Sequence, residues 1–139
     1  MNNAELLKAL DNENNKNIIN LSSEKVEKDK NDIIEELFLS TNIKKEMKTK
    51  LKEYIYIDDL SNIKIGSYIR WINLQNPDSI KLTNGGLICD IKYLDNGCHV
   101  VCKNNFNKMM QINMESNLVF QKLNQQEQII LNVIDYLNK

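Results

Sequence analysis

Residues 63–123, IKIGSYIRWINLQNPDSIKLTNGGLICDIKYLDNGCHVVCKNNFNKMMQINMESNLVFQKL, decide how this chain is read. Five short segments here alternate side-chain character, the period-two signature of strands with two unlike faces. In the first, 64–74, Ile65, Ser67, Ile69 and Trp71 alternate with Gly66, Tyr68, Arg70 and Ile72. A polar loop over 75–84 follows and holds the single proline, Pro77. Gly85-Gly86 opens a second strand running to Tyr93, and Asp95-Asn96-Gly97 is a hairpin signal. A third strand is expected over 98–103, a turn over 104–107, a fourth strand over 109–114 and a fifth over 118–122. Five strands in about 60 residues is the size of a small β-barrel, a scaffold used mostly for binding.

Outside this core the period becomes helical. Asn124 followed by Glu127 is a capping pattern, and Ile129, Ile130, Val133, Ile134 and Leu137 form one apolar stripe of a final helix. That helix is expected either to close one end of the barrel or to join the helices before it. Upstream, Ser22 and Ser23 offer N-caps for a helix to about Leu39 with Val26, Ile33, Ile34, Leu37 and Phe38 apolar. A second run over 42–55 carries Ile43, Met47, Leu51, Tyr54 and Ile55. On one rod the two stripes would be offset by roughly 90°. The offset falls at Ser40-Thr41, so a break or helical hairpin is expected there. Asn2 with Glu5 caps a short first helix edged by Leu6, Leu7 and Leu10, and the Asn-rich stretch 11–20 reads as a linker. Three segments result: 1–22, a short helix and linker; 23–57, helical; and 58–139, the barrel with its C-terminal helix.

The 139 residues include 22 Asn, 18 Ile and 17 Lys against a single arginine, Arg70. All three abundant types have A/T-rich codons, so an AT-rich genome is expected: a giant DNA virus, a mollicute or an AT-rich protist. One arginine excludes recognition of phosphate or guanine by several bidentate guanidiniums. A net charge of -1 confines any nucleic-acid binding to a local patch. The start shows no basic segment followed by an apolar one, and no window nears the ~18 apolar residues of a membrane span. With three cysteines the expectation is an intracellular chain with reduced thiols, in host cytoplasm or a virion if viral.

The segments IGSYIRWINL, LTNGGLICDI, HVVCKNN, MMQINM and LVFQKL together resemble SH3-like small barrels of the tudor and KOW sort. They are also similar to small β-domains encoded by large nucleocytoplasmic DNA viruses, in which a Gly-x-x-Ile-Arg-aromatic strand precedes a Gly-Gly strand. The matching positions are Gly66, Ile69, Arg70, Trp71, Gly85 and Gly86. The resemblance implies an α+β fold: a five-stranded SH3-like barrel over about 63–122, an N-terminal helical hairpin and a C-terminal packing helix. It implies no catalytic residue.

Cys89, Cys98, His99 and Cys102 have the right chemistry for zinc but the wrong spacing. On a strand, Cys98 and Cys102 share a face roughly 13 Å apart at ~3.3 Å per residue, and His99 points the other way. The same alternation separates a cysteine nucleophile from His99 as its base. Asp58-Asp59 reads as a helix cap or terminator, and Gly85-Gly86 opens no helix, so it lacks phosphate-loop architecture. No enzyme, metal or cofactor is expected.

The aromatic residues are more suggestive. Trp71 alternates with Ile69 and reads as core, whereas Tyr68 and Phe106 are candidates for exposed contact, with Arg70 and Lys103 around them. Lys44, Lys48 and Lys52 recur at i, i+4, i+8 in the most basic stretch, as phosphate contacts or as a solvated face. The expected function is a non-enzymatic binding or assembly module for a protein partner or for self-association, fitting a structural or accessory protein of a giant virus. The stripes around Leu37-Phe38 and Met47-Leu51 would then supply an oligomer interface. The alternative is a nucleic-acid-binding barrel using Lys44, Lys48 and Lys52 with Arg70, Lys103 and Lys108.

Overall fold

The computed structural model of the protein describes residues 3–11 and 22–138. The cap expected at Asn2, the polar stretch 12–21 and the side chains of Leu6 and Leu10 lie outside the described residues. The fold is α+β: four helices and a six-stranded, wholly antiparallel sheet, among the described residues. The helices are α1 (Asn3–Asp11), α2 (Ser23–Glu35), α3 (Thr41–Lys50) and α4 (Gln125–Leu137). The strands are β1 (Tyr54–Ile57), β2 (Tyr68–Asn73), β3 (Gly86–Leu94), β4 (Gly97–Lys103), β5 (Met109–Asn113) and β6 (Asn117–Lys122).

Two compact units divide the chain: one takes residues up to Leu37 together with 123–139, the other 38–122. The expected 58–139 segment is therefore shared between them. In the first unit α1 and α2 both lie against α4. Asn124 and Glu127 complete a reciprocal capping box at the start of α4, at 2.8 and 3.0 Å, satisfying two backbone donors at once. Ser22 caps α2, and the Ser23 N–H donates to Asp135 Oδ1 of α4 at 3.0 Å. Val26, Lys30 and Ile34 form the buried line of α2 at i, i+4, i+8. Lys30 belongs there despite its charge because its ammonium donates to Glu27 at 2.8 Å, keeping the ion paired.

The break expected at Ser40-Thr41 is present, with Ser40 Oγ accepting from the Ile43 N–H to start α3. Phe38, expected on the α2 stripe, lies beyond the end of that helix and is fully exposed. A second correction concerns Tyr54 and Ile55, expected in a helix to 55. The helix ends at Lys50 with a cap at Leu51, and Tyr54–Ile57 forms β1 instead, pairing antiparallel with β6. Alternating aromatic and β-branched residues suit a pleated, half-buried strand better than a helix.

In the second unit the strand order is β1-β6-β2-β3-β4-β5. The expected five-stranded barrel is corrected on two counts: there are six strands, and β1 and β5 end an open sheet without pairing to each other. The five expected strands correspond to β2 through β6. β6 lies between β1 and β2, and its Leu118, Val119, Phe120 and Gln121 are all buried, so both its faces are covered. Gln121 is a buried polar side chain with both ends satisfied, accepting from the Lys64 N–H at 2.9 Å and donating to the Asn62 carbonyl at 3.1 Å. Trp71, 7% exposed, is a core residue beside Ile69 and Ile72.

β3 changes register against β4 between Ile88 and Asp90, a bulge that bends the strand at Cys89. Gly86 and Leu87 pair with β2, while β4 pairs along β3 from Leu87 to Leu94. The abundant asparagines have a structural use. Asn76 and Asn113 each accept the backbone N–H two residues on, starting the 3-10 turns at 77–79 and 114–116, as Asp59 does at 60–62.

Candidate functional site

Gly85 builds one wall of a groove beside β2. Its φ is +91°, and a Cβ there would lie 2.1 Å from the Ile69 carbonyl oxygen, so only glycine lets the two backbones approach. The preceding segment is fastened to β2 by four hydrogen bonds. Tyr68 Oη donates to the Asn84 carbonyl at 2.7 Å, and Arg70 Nε donates to the Thr83 carbonyl at 2.8 Å. The Thr83 N–H donates to the Trp71 carbonyl at 3.0 Å, and the Trp71 N–H to Thr83 Oγ1 at 3.2 Å.

The opposite wall is the turn between β4 and β5. Asn104 Oδ1 accepts from the Phe106 and Lys108 N–H groups, both at 2.9 Å, while the Asn104 N–H donates to the Lys108 carbonyl at 3.0 Å. Asn107 takes a positive φ of 62°, a conformation asparagine tolerates well. On this braced turn Phe106 is 90% exposed, an apolar ring held out in water. Between the walls lies a groove of about 510 Å³, lined by Arg70, Trp71, residues 83–85 and 104–106, and Met110. Its size is within the ~300–1,000 Å³ typical of ligand sites.

Of the residues singled out in the sequence, Arg70 and Phe106 both line this groove. Tyr68 is half-buried, its hydroxyl committed to the Asn84 carbonyl, so it acts as a fastener of the wall. Lys103 ends β4 and Lys108 ends the turn, so the two bracket Phe106 along the chain. Lys44 and Lys48 are on α3 and half-buried. Lys52 lies past the end of α3, so it does not continue their helical face. Thr83, Asn84, Asn104, Asn105 and Met110 are not distinguished by sequence; only the turn expected over 104–107 points to part of their neighbourhood.

Arg70 has a second electrostatic consequence. Burial holds the Tyr54 phenol above its ordinary value, and the Arg70 guanidinium partly opposes that shift. Among the thiols, Cys89 is exposed, Cys98 half-buried and Cys102 buried. Burial, with a smaller contribution from Cys89, pushes the Cys102 thiol up to about 11. Among the described residues, no three His, Cys, Asp or Glu side chains gather as metal ligands would.

No protein-family model, curated protein or solved structure matches this chain. Among the described residues no helix is long and apolar enough to cross a membrane.

Proposed function

We propose that this chain is a non-enzymatic binding module whose protein partner inserts a short extended segment into the groove between residues 83–85 and the 104–108 turn. The observation that carries this reading is Phe106, held in water by a turn whose hydrogen bonds leave it little freedom. Keeping a large apolar ring exposed is unfavourable for the isolated chain, and a rigid aromatic on a groove rim is a typical binding anchor. Arg70 engages Thr83 through Nε, which leaves its Nη groups to meet a carboxylate of the partner. The amides of Asn84 and Asn105 suit peptide backbone groups.

An SH3-like reading of the sheet is supported by its connectivity. The β2–β5 meander is followed by a 3-10 turn at 114–116, and β6 then returns to pair with β2. In that reading β1 is an added strand on the β6 edge. The Asn-, Ile- and Lys-rich composition favours an AT-rich source, and we assign the module to the structural or accessory proteins of a large DNA virus.

A specific observation favours a second reading, a base of single-stranded nucleic acid stacked on Phe106 with Lys103 and Lys108 at the phosphates. Selection from a random peptide library, with the Phe106→Ala and Arg70→Ala variants as counter-selections, tests the first. Peptides that bind wild type and lose at least about tenfold on both variants support it. Peptides indifferent to both substitutions overturn it. Single-stranded DNA or RNA binding that falls steeply with salt, with no peptide selected, establishes the second instead.

A further inference from the structure

A second pocket, of about 330 Å³, shares the Trp71 wall and is lined also by residues of β4, β5 and the start of β6. Its lining contains no Asp, Glu, Lys or Arg; apart from Trp71 and Ile112 it is made of amide side chains, a serine and His99. The hydrogen bonds around it are unusually one-sided. His99 Nε2 lies 3.0 Å from Asn96 Oδ1, and Gln111 Nε2 lies 3.0 Å from His99 Nδ1. Opposite an amide oxygen and an amide nitrogen, the ring donates through Nε2 and accepts at Nδ1.

These bonds leave half of each amide unused. Asn96 and Asn73 spend their oxygens, the latter on the Gln75 N–H at 2.8 Å, and keep their NH2 groups. Gln111 and Asn117 spend their nitrogens, the latter on the Asn113 carbonyl at 2.8 Å, and keep their oxygens. Asn117 Oδ1 is buried with no partner at all. That oxygen is closed off from solvent, so the acceptor open to a ligand is the oxygen of the exposed Gln111.

We infer that this pocket binds a neutral, hydroxyl-rich ligand, a sugar residue or similar polyol, through the Asn73 and Asn96 donors and the Gln111 acceptor. A hydroxyl both donates and accepts, and so satisfies such a mixed set. A carboxylate or phosphate accepts only and would leave the Gln111 oxygen facing another acceptor; a cation would find no charged side chain in the lining. Trp71 and Ile112, both almost buried, contribute only a small apolar edge, so recognition rests on the amides. Apart from Trp71 the site shares no lining residue with the Phe106 groove, and it does not depend on the function proposed for it.

The test is titration of the full chain with neutral mono- and disaccharides, following the side-chain NH2 signals of asparagine and glutamine by NMR. Emission of Trp71, the single tryptophan, gives a second readout. Saturable shifts of the Asn73, Asn96 and Gln111 amides are expected with at least one sugar. Gln111→Ala, on an exposed strand position, is expected to weaken that binding about tenfold, and Phe106→Ala to leave it unchanged. The inference is overturned if no sugar moves these signals, if Gln111→Ala binds as wild type, or if adenosine or uridine binds where every sugar fails.

Discussion

Asn104 governs Phe106: the asparagine oxygen accepts the phenylalanine N–H at 2.9 Å and, two residues on, the Lys108 N–H at the same distance. One side chain thereby organises the whole turn and fixes where the exposed ring stands.

Replacing Asn104 with alanine removes the single oxygen that accepts both N–H groups, at a partly exposed position. A stability loss of about 1–2 kcal/mol is expected by denaturant unfolding. Ligand binding in the groove is expected to weaken nearly as much as for Phe106→Ala, although the ring itself is retained. Phe106→Ala should leave the unfolding midpoint almost unchanged, because a ring this exposed contributes little to the core.

Two glycines with nearly the same φ differ in what surrounds them. Gly66→Ala meets nothing within 4 Å and carries only the backbone cost, about 1–2 kcal/mol. Gly85→Ala drives a methyl against the Ile69 carbonyl at 2.1 Å and also crowds Arg70 and Tyr68. It should cost about 3 kcal/mol or more and disturb the groove wall. Thermal unfolding of the pair measures the difference; equal losses would mean that the 83–85 segment is not fastened to β2.

Trp71→Ala is expected to destabilise by about 3–5 kcal/mol, as for a large core aromatic. Its emission in the native protein should be blue-shifted and move to longer wavelength on unfolding. A variant with unaltered stability would remove Trp71 from the core.

Alkaline pH should weaken the fold. The buried Cys102 thiol holds its proton more tightly in the native state than in the unfolded chain, with values of about 11 and 9.0. Its contribution is complete below about pH 9 and disappears as pH rises through about 11. Tyr54, also raised by burial, acts in the same direction at still higher pH than an ordinary phenol. A thiol reagent at neutral pH should modify Cys89 fast and Cys102 only on unfolding, since the thiolate is the nucleophile.

The strands β2 to β6 were legible because alternation, Gly85-Gly86 and the Asp95-Asn96-Gly97 turn are local signals. β1 was not, since Tyr54 and Ile55 extend the helical spacing of Met47 and Leu51. What decides their state is pairing with residues 119–122, far along the chain. Arg70 and Phe106 stood out by type and setting. The clamps that place them depend on partners that sequence spacing does not reveal: Thr83 for Arg70 over 13 positions, and an ordinary-looking Asn104 for Phe106. The amide-lined pocket was equally hidden, because its residues come from separate strands and none is chemically unusual alone.

The position of β6 imposes an order of events on the ribosome. β2 to β5 are joined as successive hairpins and can zip up as they emerge, but β1 has no partner until 117–122 has been made. At ~5–20 residues per second that wait is roughly 3–12 s, with the free edge of β2 and the apolar Tyr54–Ile57 strand both unprotected. Strand edges of this kind pair with whatever neighbour is nearest. A nascent chain stalled before Asn117 is therefore a stickier object than the finished protein, and the last strand to be synthesised is the one that ends that exposure.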